Sequence, residues 1–248
     1  MSSSLSWRLG VLAMACTAAR AEPAPVPLYL MTMPPHVIDD AQQHGMVGDV
    51  VLEAMRRASL APQVLVEPNP RAMAAVKQGK NVYIAALSRI PEREPFYTWV
   101  APIMPIHRAF ITTAVAVDSY AQAKRTLKHI AVSRDTANHQ ILLAEGFAPE
   151  QLVLLNAGES APRMLLAGRV DAWYNLVPES MTLLHRIGAP KVVIGQRLSP
   201  TDLYLACSPG CAPDQVARLR AGFAAMKQDG SLARLIGRYA GQPGFSHD

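Results

Sequence analysis

Cysteine is almost absent from this sequence, with three in 248 residues. A chain so poor in it is not a small scaffold built on disulfides. Long apolar runs are scarce as well. Beyond the first two dozen residues none approaches the ~18 consecutive apolar residues of a membrane-spanning helix. Blocks of basic charge are missing: 24 Lys and Arg stand against 19 acids. They are scattered, so no nucleic-acid partner is indicated. The seven histidines form no His-x-x-x-His or Cys–His pattern, so neither a metal centre nor a cofactor is expected. Gly79-Lys80 lacks the leading Gly-x-x-x-x and the following Ser/Thr of a phosphate loop. The G-x-S-x-G turn of hydrolases is missing too.

The N-terminus reads as an export signal. Arg8 supplies a positive start, Leu9 to Thr17 a short apolar stretch, and Ala19-Arg20-Ala21 a small-residue cleavage site before Glu22. Residues 1–21 are therefore expected to be removed, which places the mature protein in the periplasm. Leu12-Ala13-Met14-Ala15-Cys16 weakly resembles a lipoprotein box, but the cleavage site is better placed, so lipid anchoring at Cys16 is the less favoured reading. Loss of Arg8 and Arg20 leaves 22 basic residues against 19 acidic ones, a net charge of +3. Cys207 and Cys211, in Cys-Ser-Pro-Gly-Cys, are then the only mature cysteines. An oxidising compartment and a Pro-Gly turn between them predict a disulfide.

With 50% hydrophobic and 17% charged residues, the remainder reads as compact and globular. Strands are expected at 28–31, 63–67 and 81–87, and helices at 48–59 and 71–78. This β-α-β-α-β order calls for a mostly parallel sheet. An apolar connecting strand at 109–117 leads to a second block. There strands are expected at 129–133, 152–155, 170–174 and 191–194, with helices at 120–127, 136–145, 160–167 and 178–187 between them. A strand at 202–206 returns to the first block, and helices at 213–228 and 231–239 close the chain. The predicted architecture is α/β, with lobe 1 formed by 22–111 and 205–248 and lobe 2 by 112–204. Two crossovers join the lobes and leave a cleft, which the C-terminal ends of the strands can face.

One stretch organises the candidate site: Ile84 to Pro102, IAALSRIPEREPFYTWVAP. A buried strand ends there in Ser88 and Arg89, and Arg93 follows Pro91. Guanidinium forks suit carboxylates, which they grip with parallel hydrogen bonds. The alternative for Arg93 is an ion pair with Glu92 or Glu94. Arg71 opens a helix, where a cation opposes the helix dipole, and this suggests a compensating role in binding. Asp171 reads better as a structural hydrogen-bonding group than as a ligand contact. Trp173 and Tyr174 suit either stacking on a ligand or packing in a core.

The chain resembles the periplasmic solute-binding proteins of family 3, the type associated with ABC importers of polar amino acids. The resemblance runs from Leu28 to Tyr239. It is carried by Pro34-Pro35, Gly48-Asp49, Gly79-Lys80, Leu87-Ser88-Arg89-Ile90-Pro91-Glu92-Arg93 with Trp99-Val100-Ala101-Pro102, Ala167-Gly168-Arg169-Val170-Asp171-Ala172, and Gly230-Ser231-Leu232. It implies a two-lobe periplasmic-binding-protein (Venus-flytrap) fold with two hinge crossovers, acting as a monomeric, non-enzymatic receptor that delivers solute to a membrane permease. It also implies that Arg93 clamps a ligand carboxylate, that Ser88 assists, and that the loop at Asp135-Thr136 adds donors. Thr136 has independent support as an N-cap, beside helix N–H groups that attract anions.

Three departures bear on the ligand. Tyr174-Asn175-Leu176 holds no acid where the family places one for an amino group. Asp135 replaces a glycine, and Met33 an aromatic. With Arg71 and Arg89 adding positive charge, the expected ligand is a small carboxylate, an amino acid or a related organic acid. The expected ligand-binding set is Arg93, Ser88, Arg71, Thr136, Asn175, Arg89, Met33 and Tyr174. Two alternatives stay open. One is an exported dehydratase of the prephenate type on the same scaffold, with Glu179 or Asp171 as general acid. The other is a periplasmic sensor module.

Overall fold

The computed structural model describes residues 25–40 and 42–241; the expected export segment and Cys16 lie outside the described residues. Three parallel strands start the chain: β1 (Val26–Met31), β2 (Pro62–Glu67) and β3 (Tyr83–Ser88). Helix α1 (Gly45–Arg57) links the first two and α2 (Asn69–Gln78) the next. Helix α1 buries Val47, Val50, Val51 and Ala54, the i, i+3, i+4, i+7 stripe of an amphipathic helix.

The largest departure from expectation follows β3. A 3-10 turn at Pro91–Phe96 leads into β4, a fifteen-residue strand over Thr98–Thr112. Of the expected connecting strand at 109–117, residues 109–112 are thus the tail of a longer one and 113–117 are not strand. Pro102 and Pro105 lie inside it, and proline cannot donate to a ladder. The strand accommodates them by slipping register against β9 (Leu198–Cys207) between Trp99 and Ala101, between Pro102 and Met104, and between Ile106 and Arg108. At the first slip Arg220 takes up the carbonyls, its Nε donating to Val100 O at 3.0 Å and its Nη2 to Trp99 O at 2.9 Å.

The second block contains α3 (Tyr120–Thr126), β5 (Ile130–Ser133), α4 (Ala137–Ala144), β6 (Leu152–Leu155), α5 (Ser160–Leu166), β7 (Ala172–Leu176), α6 (Val177–Arg186) and β8 (Val193–Ile194). After β9 come α7 (Pro213–Gln228) and α8 (Ser231–Gly237). Helix α7 crosses α1 closely at Gly222, where a Cβ would meet Ala54 O at 3.1 Å. A disulfide joins Cys207 and Cys211. Asp171 accepts from the backbone N–H groups of Lys128 and His129 at 2.7 and 2.8 Å, tying the start of β7 to that of β5.

The strand order is β2-β1-β3-β9-β4-β7-β5-β6, with β8 on β4. The sheet is mixed rather than mostly parallel: β1 lies parallel to β2 and β3, and β5 parallel to β6 and β7, but β4 and β9 run antiparallel to their neighbours. The two long strands are the crossovers, so each belongs to both halves of the sheet. The cores are separate. One gathers β1, β3, α1 and α7 around Leu28, Leu30, Val50, Leu87 and Phe223. The other half buries its sheet on two faces, around Phe110 and Tyr174 on one and Trp173 and Leu165 on the other.

Candidate functional site

Between the halves lies a cleft of about 530 Å³ of empty space, partly open to solvent, lined by residues of both. Much of that space is open to solvent, and the room left for the centres of water-sized groups is about 50 Å³. The first half contributes Thr32 and Met33 after β1, Asn69 at the start of α2, Ser88 and Arg93; the second contributes Thr136, Asn138, Asn175 and Glu179; the crossover strand β4 contributes Arg108.

Ser88 reaches the cleft because β3 is irregular. The register against β9 shifts between Ile84 and Leu87, and Ala86 has φ of +62°. Bulges of this sort re-aim the residues that follow them. The chain then turns at Ile90-Pro91 and swings Arg93 back beneath the strand end, where its Nη1 donates to Ser88 O at 3.0 Å and its Nη2 reaches Met73 Sδ at 3.8 Å. Arg93 is 8% exposed, and its Nε makes no hydrogen bond within the described residues. Burial pushes its pKa down to about 10, so the guanidinium stays charged at neutral pH. Glu94, one candidate partner, is occupied by Arg89 at 2.7 and 3.0 Å.

Arg108 is the residue that the sequence reading missed. It is completely buried on β4. Its Nη2 donates to Ser88 Oγ at 2.9 Å, its Nε to Asn138 Oδ1 at 2.7 Å, and its Nη1 to Thr201 Oγ1 at 2.8 Å and Ser199 O at 3.3 Å. One side chain thus touches the first half, the second half and the returning crossover. The signal was available: a lone cation inside the run IMPIHRAFI calls for a buried partner or a ligand.

From Arg108 a chain of amides runs across the second half. Asn138 Nδ2 donates to Asn175 Oδ1 at 2.7 Å, and Asn175 Nδ2 donates to Glu179 Oε2 at 3.1 Å. The guanidinium fixes the orientation of both amides, so every donor points towards Glu179. That carboxyl is partly buried at the far end of the cleft, on the first turn of α6. Desolvation pushes its pKa up to about 7, against a smaller opposing effect of the Asn175 hydrogen bond. The cleft therefore does hold an acid, four residues beyond Asn175 rather than beside it. Thr136 caps α4, accepting from His139 N at 3.4 Å while its Oγ1 donates to Ser133 O at 2.6 Å.

Of the residues expected from sequence, Arg93, Ser88, Thr136, Asn175 and Met33 line this cleft, and Arg71, Arg89 and Tyr174 do not. The Arg71 side chain is 75% exposed and pairs at 3.0 Å with Glu67, the last residue of β2. Arg89 turns outward to Glu94 and lies over the rings of Trp99 and Tyr204, at 5.3 and 5.4 Å from their centroids. Tyr174 follows strand alternation away from Asn175. It packs on Phe110, with ring centroids 4.9 Å apart, and its hydroxyl meets that of Tyr120 at 2.6 Å. Among the described residues no three His, Cys, Asp or Glu side chains gather as a metal site, and no helix is long and apolar enough to cross a membrane.

A second compartment adjoins the first and shares Thr32, Asn69, Thr136, Ala157 and Glu179 with it; Pro34, Pro68 and Pro70 form one wall, and Arg134 and Arg186 stand on the other.

No family model matches the chain, and no curated protein matches it by sequence. Solved structures do match. A histidine kinase sensor domain with similarity to periplasmic binding proteins superposes with a TM-score of 0.80 at 17% identity, over 90% of this chain and 98% of that one. An ancestral arginine-binding protein bound to arginine gives 0.77 at 16%, over 89% and 100%. The ancestral amino acid-binding protein AncCDT-1, a precursor of cyclohexadienyl dehydratase, gives 0.71 at 18%, over 87% and 94%. Likeness at this level of identity establishes the architecture. The chain has the two-lobe fold of the periplasmic binding proteins, with its cleft where two crossovers meet.

Proposed function

We propose that the protein is a periplasmic receptor that captures a small carboxylate-bearing solute, an amino acid or a related organic acid, between its lobes. Lobe 1 (22–111 and 205–248) and lobe 2 (112–204) close on the ligand, and a membrane permease of an ABC importer reads the closed form. One observation carries this reading: Arg93 lines the cleft, is buried, and has no carboxylate within ion-pair distance among the described residues. A buried charge needs an opposite charge, and a ligand carboxylate provides one in the geometry that a guanidinium prefers. Ser88, Thr136 and Asn175 add polar groups around it. Closure is selected because only the closed form makes both sets of contacts.

The test is a thermal-shift screen of the purified mature protein against amino acids, dicarboxylates, opines and prephenate. A ligand at 100 times its Kd adds about 2.7 kcal/mol. Arg93→Ala should abolish that shift for every carboxylate hit, and an unchanged affinity would overturn the assignment.

A second reading, an enzyme on the same scaffold, is favoured by Glu179 alone. A carboxyl held near pKa 7 inside the cleft is matched to proton transfer at neutral pH. Product formed from a bound acid, and lost in Glu179→Gln, would replace the receptor reading with this one.

A further inference from the structure

The cleft holds not one but two buried guanidiniums, and their arrangement limits the ligand further. Arg93 and Arg108 are 8% and 0% exposed. None of the seven ion pairs among the described residues includes either one. Both attach to Ser88, Arg93 through the carbonyl at 3.0 Å and Arg108 through the hydroxyl at 2.9 Å. They are thus near neighbours, and the charge on Arg108 adds to the burial that lowers the pKa of Arg93. Two like charges held together away from water repel each other and are each desolvated.

The surrounding groups do not cancel them. Glu179 is the single acid lining the inner cleft. Two amides separate it from Arg108, and its one hydrogen-bond partner among the described residues is Asn175. The tyrosine hydroxyls beyond Arg108, Tyr120 and Tyr174, are bonded to each other and form no ion pair with it. The inner cleft therefore carries two positive charges at one end and one titratable acid at the other. A single ligand carboxylate answers one guanidinium and leaves the other buried and unmatched.

We infer that the ligand carries two carboxylates on a short carbon chain, one gripped by Arg93 and the other set against Arg108. This rests on the receptor reading above and narrows it. The roles of the two cations differ. Arg93 has its Nε and part of each terminal nitrogen free for a fork. Arg108 gives four hydrogen bonds to protein, so it acts as a fixed charge that offers little more than one remaining N–H. Two chemical sources satisfy this charge count. A plain diacid neutralises both cations while Glu179 stays protonated. An acidic amino acid brings an ammonium that Glu179 meets as a carboxylate, after giving up its proton.

The experiment is calorimetric titration of the mature protein at pH 6.5 with succinate, glutarate, L-aspartate and L-glutamate, each beside its singly charged counterpart: butyrate, valerate, L-asparagine and L-glutamine. At least one diacid should bind roughly 30-fold or more tighter than its counterpart, the usual loss when one partner of a buried charge pair is removed. Repeating the titration in buffers of different ionisation heat separates the sources, because only the amino-acid arm releases a proton. Arg108→Met should collapse the ratio of diacid to counterpart affinity, whatever it does to either affinity alone, and Arg108→Lys, which keeps the charge if the first variant folds poorly, should retain part of that ratio. Equal affinity for diacid and counterpart overturns the inference and leaves the receptor reading standing. Failure of every carboxylate in the panel to bind overturns the inference as well, and the receptor reading falls only if the wider screen above is also blank.

Discussion

Replacing Glu179 by glutamine should stabilise the protein, and by an amount that depends on pH. Desolvation raises the Glu179 pKa from an unfolded value of 4.5 to about 7 in the folded protein. A raised carboxyl pKa means that the folded state binds the proton more tightly than the unfolded chain does. Below pH 4.5 both states are protonated and the residue costs nothing. Between pH 4.5 and 7 the unfolded chain releases its proton first, and stability falls. Above pH 7 the full penalty applies. At ~1.4 kcal/mol for each pH unit of separation, it amounts to about 3 kcal/mol. Glutamine keeps the acceptor for Asn175 Nδ2 and carries no charge, so it removes the penalty and little else. For a chain of this size, 1 kcal/mol moves Tm by ~2–4 °C. The variant should therefore melt with the parent near pH 4 and roughly 6–12 °C above it at pH 8, without ligand. Differential scanning calorimetry at intervals from pH 4 to pH 8.5 reads this directly. A Tm difference that does not change with pH, or a variant less stable at pH 8, would refute the desolvation argument.

Ala86 sits in β3 with φ of +62°, a conformation that costs a residue with a side chain ~1–2 kcal/mol. Ala86→Gly should relieve that strain, less the extra freedom glycine has when unfolded, for a net gain of up to about 1 kcal/mol in urea denaturation; a loss of stability would show that the methyl group packs against something that matters more. Cys207→Ser with Cys211→Ser opens a very short loop, so chain entropy predicts a loss of about 2 kcal/mol, visible as a lower denaturation midpoint that no longer responds to reductant.

The elements of the fold were legible because their signals are local. Helix α1 shows its stripe at Val47, Val50, Val51 and Ala54, and α7 begins and ends within the expected residues 213–228. Strand β4 was not legible, because prolines at 102 and 105 argue against a strand, and only pairing with β9 supplies the register slips that admit them. The same non-local cause divides the site. Ser88 and Arg93 belong to one stretch and were found together. Arg108, Asn138 and Glu179 are far apart in the chain and meet only through hydrogen bonds across the cleft. Arg89 misled because strand ends point in two directions: its neighbour Ser88 turns inward, and Arg89 turns out to Glu94, Trp99 and Tyr204. Tyr174 misled for the same reason of alternation, with Asn175 taking the inward place.

The pairing of β4 with β9 over Thr98–Arg108 and Leu198–Cys207 has a mechanical consequence. A joint made of two single loops swings freely, with its stiffness scattered over a few dihedral angles. Here the joint is a hydrogen-bonded ribbon, and relative motion of the halves has to twist that ribbon as a unit. Its resistance is elastic and spread over many bonds that remain intact throughout, so the range of motion is set by how far a β-ribbon can be wound. Arg108 projects from that ribbon into the cleft. A group that binds there pulls on the spring itself, and the angle between the halves becomes a gauge of how firmly it is held.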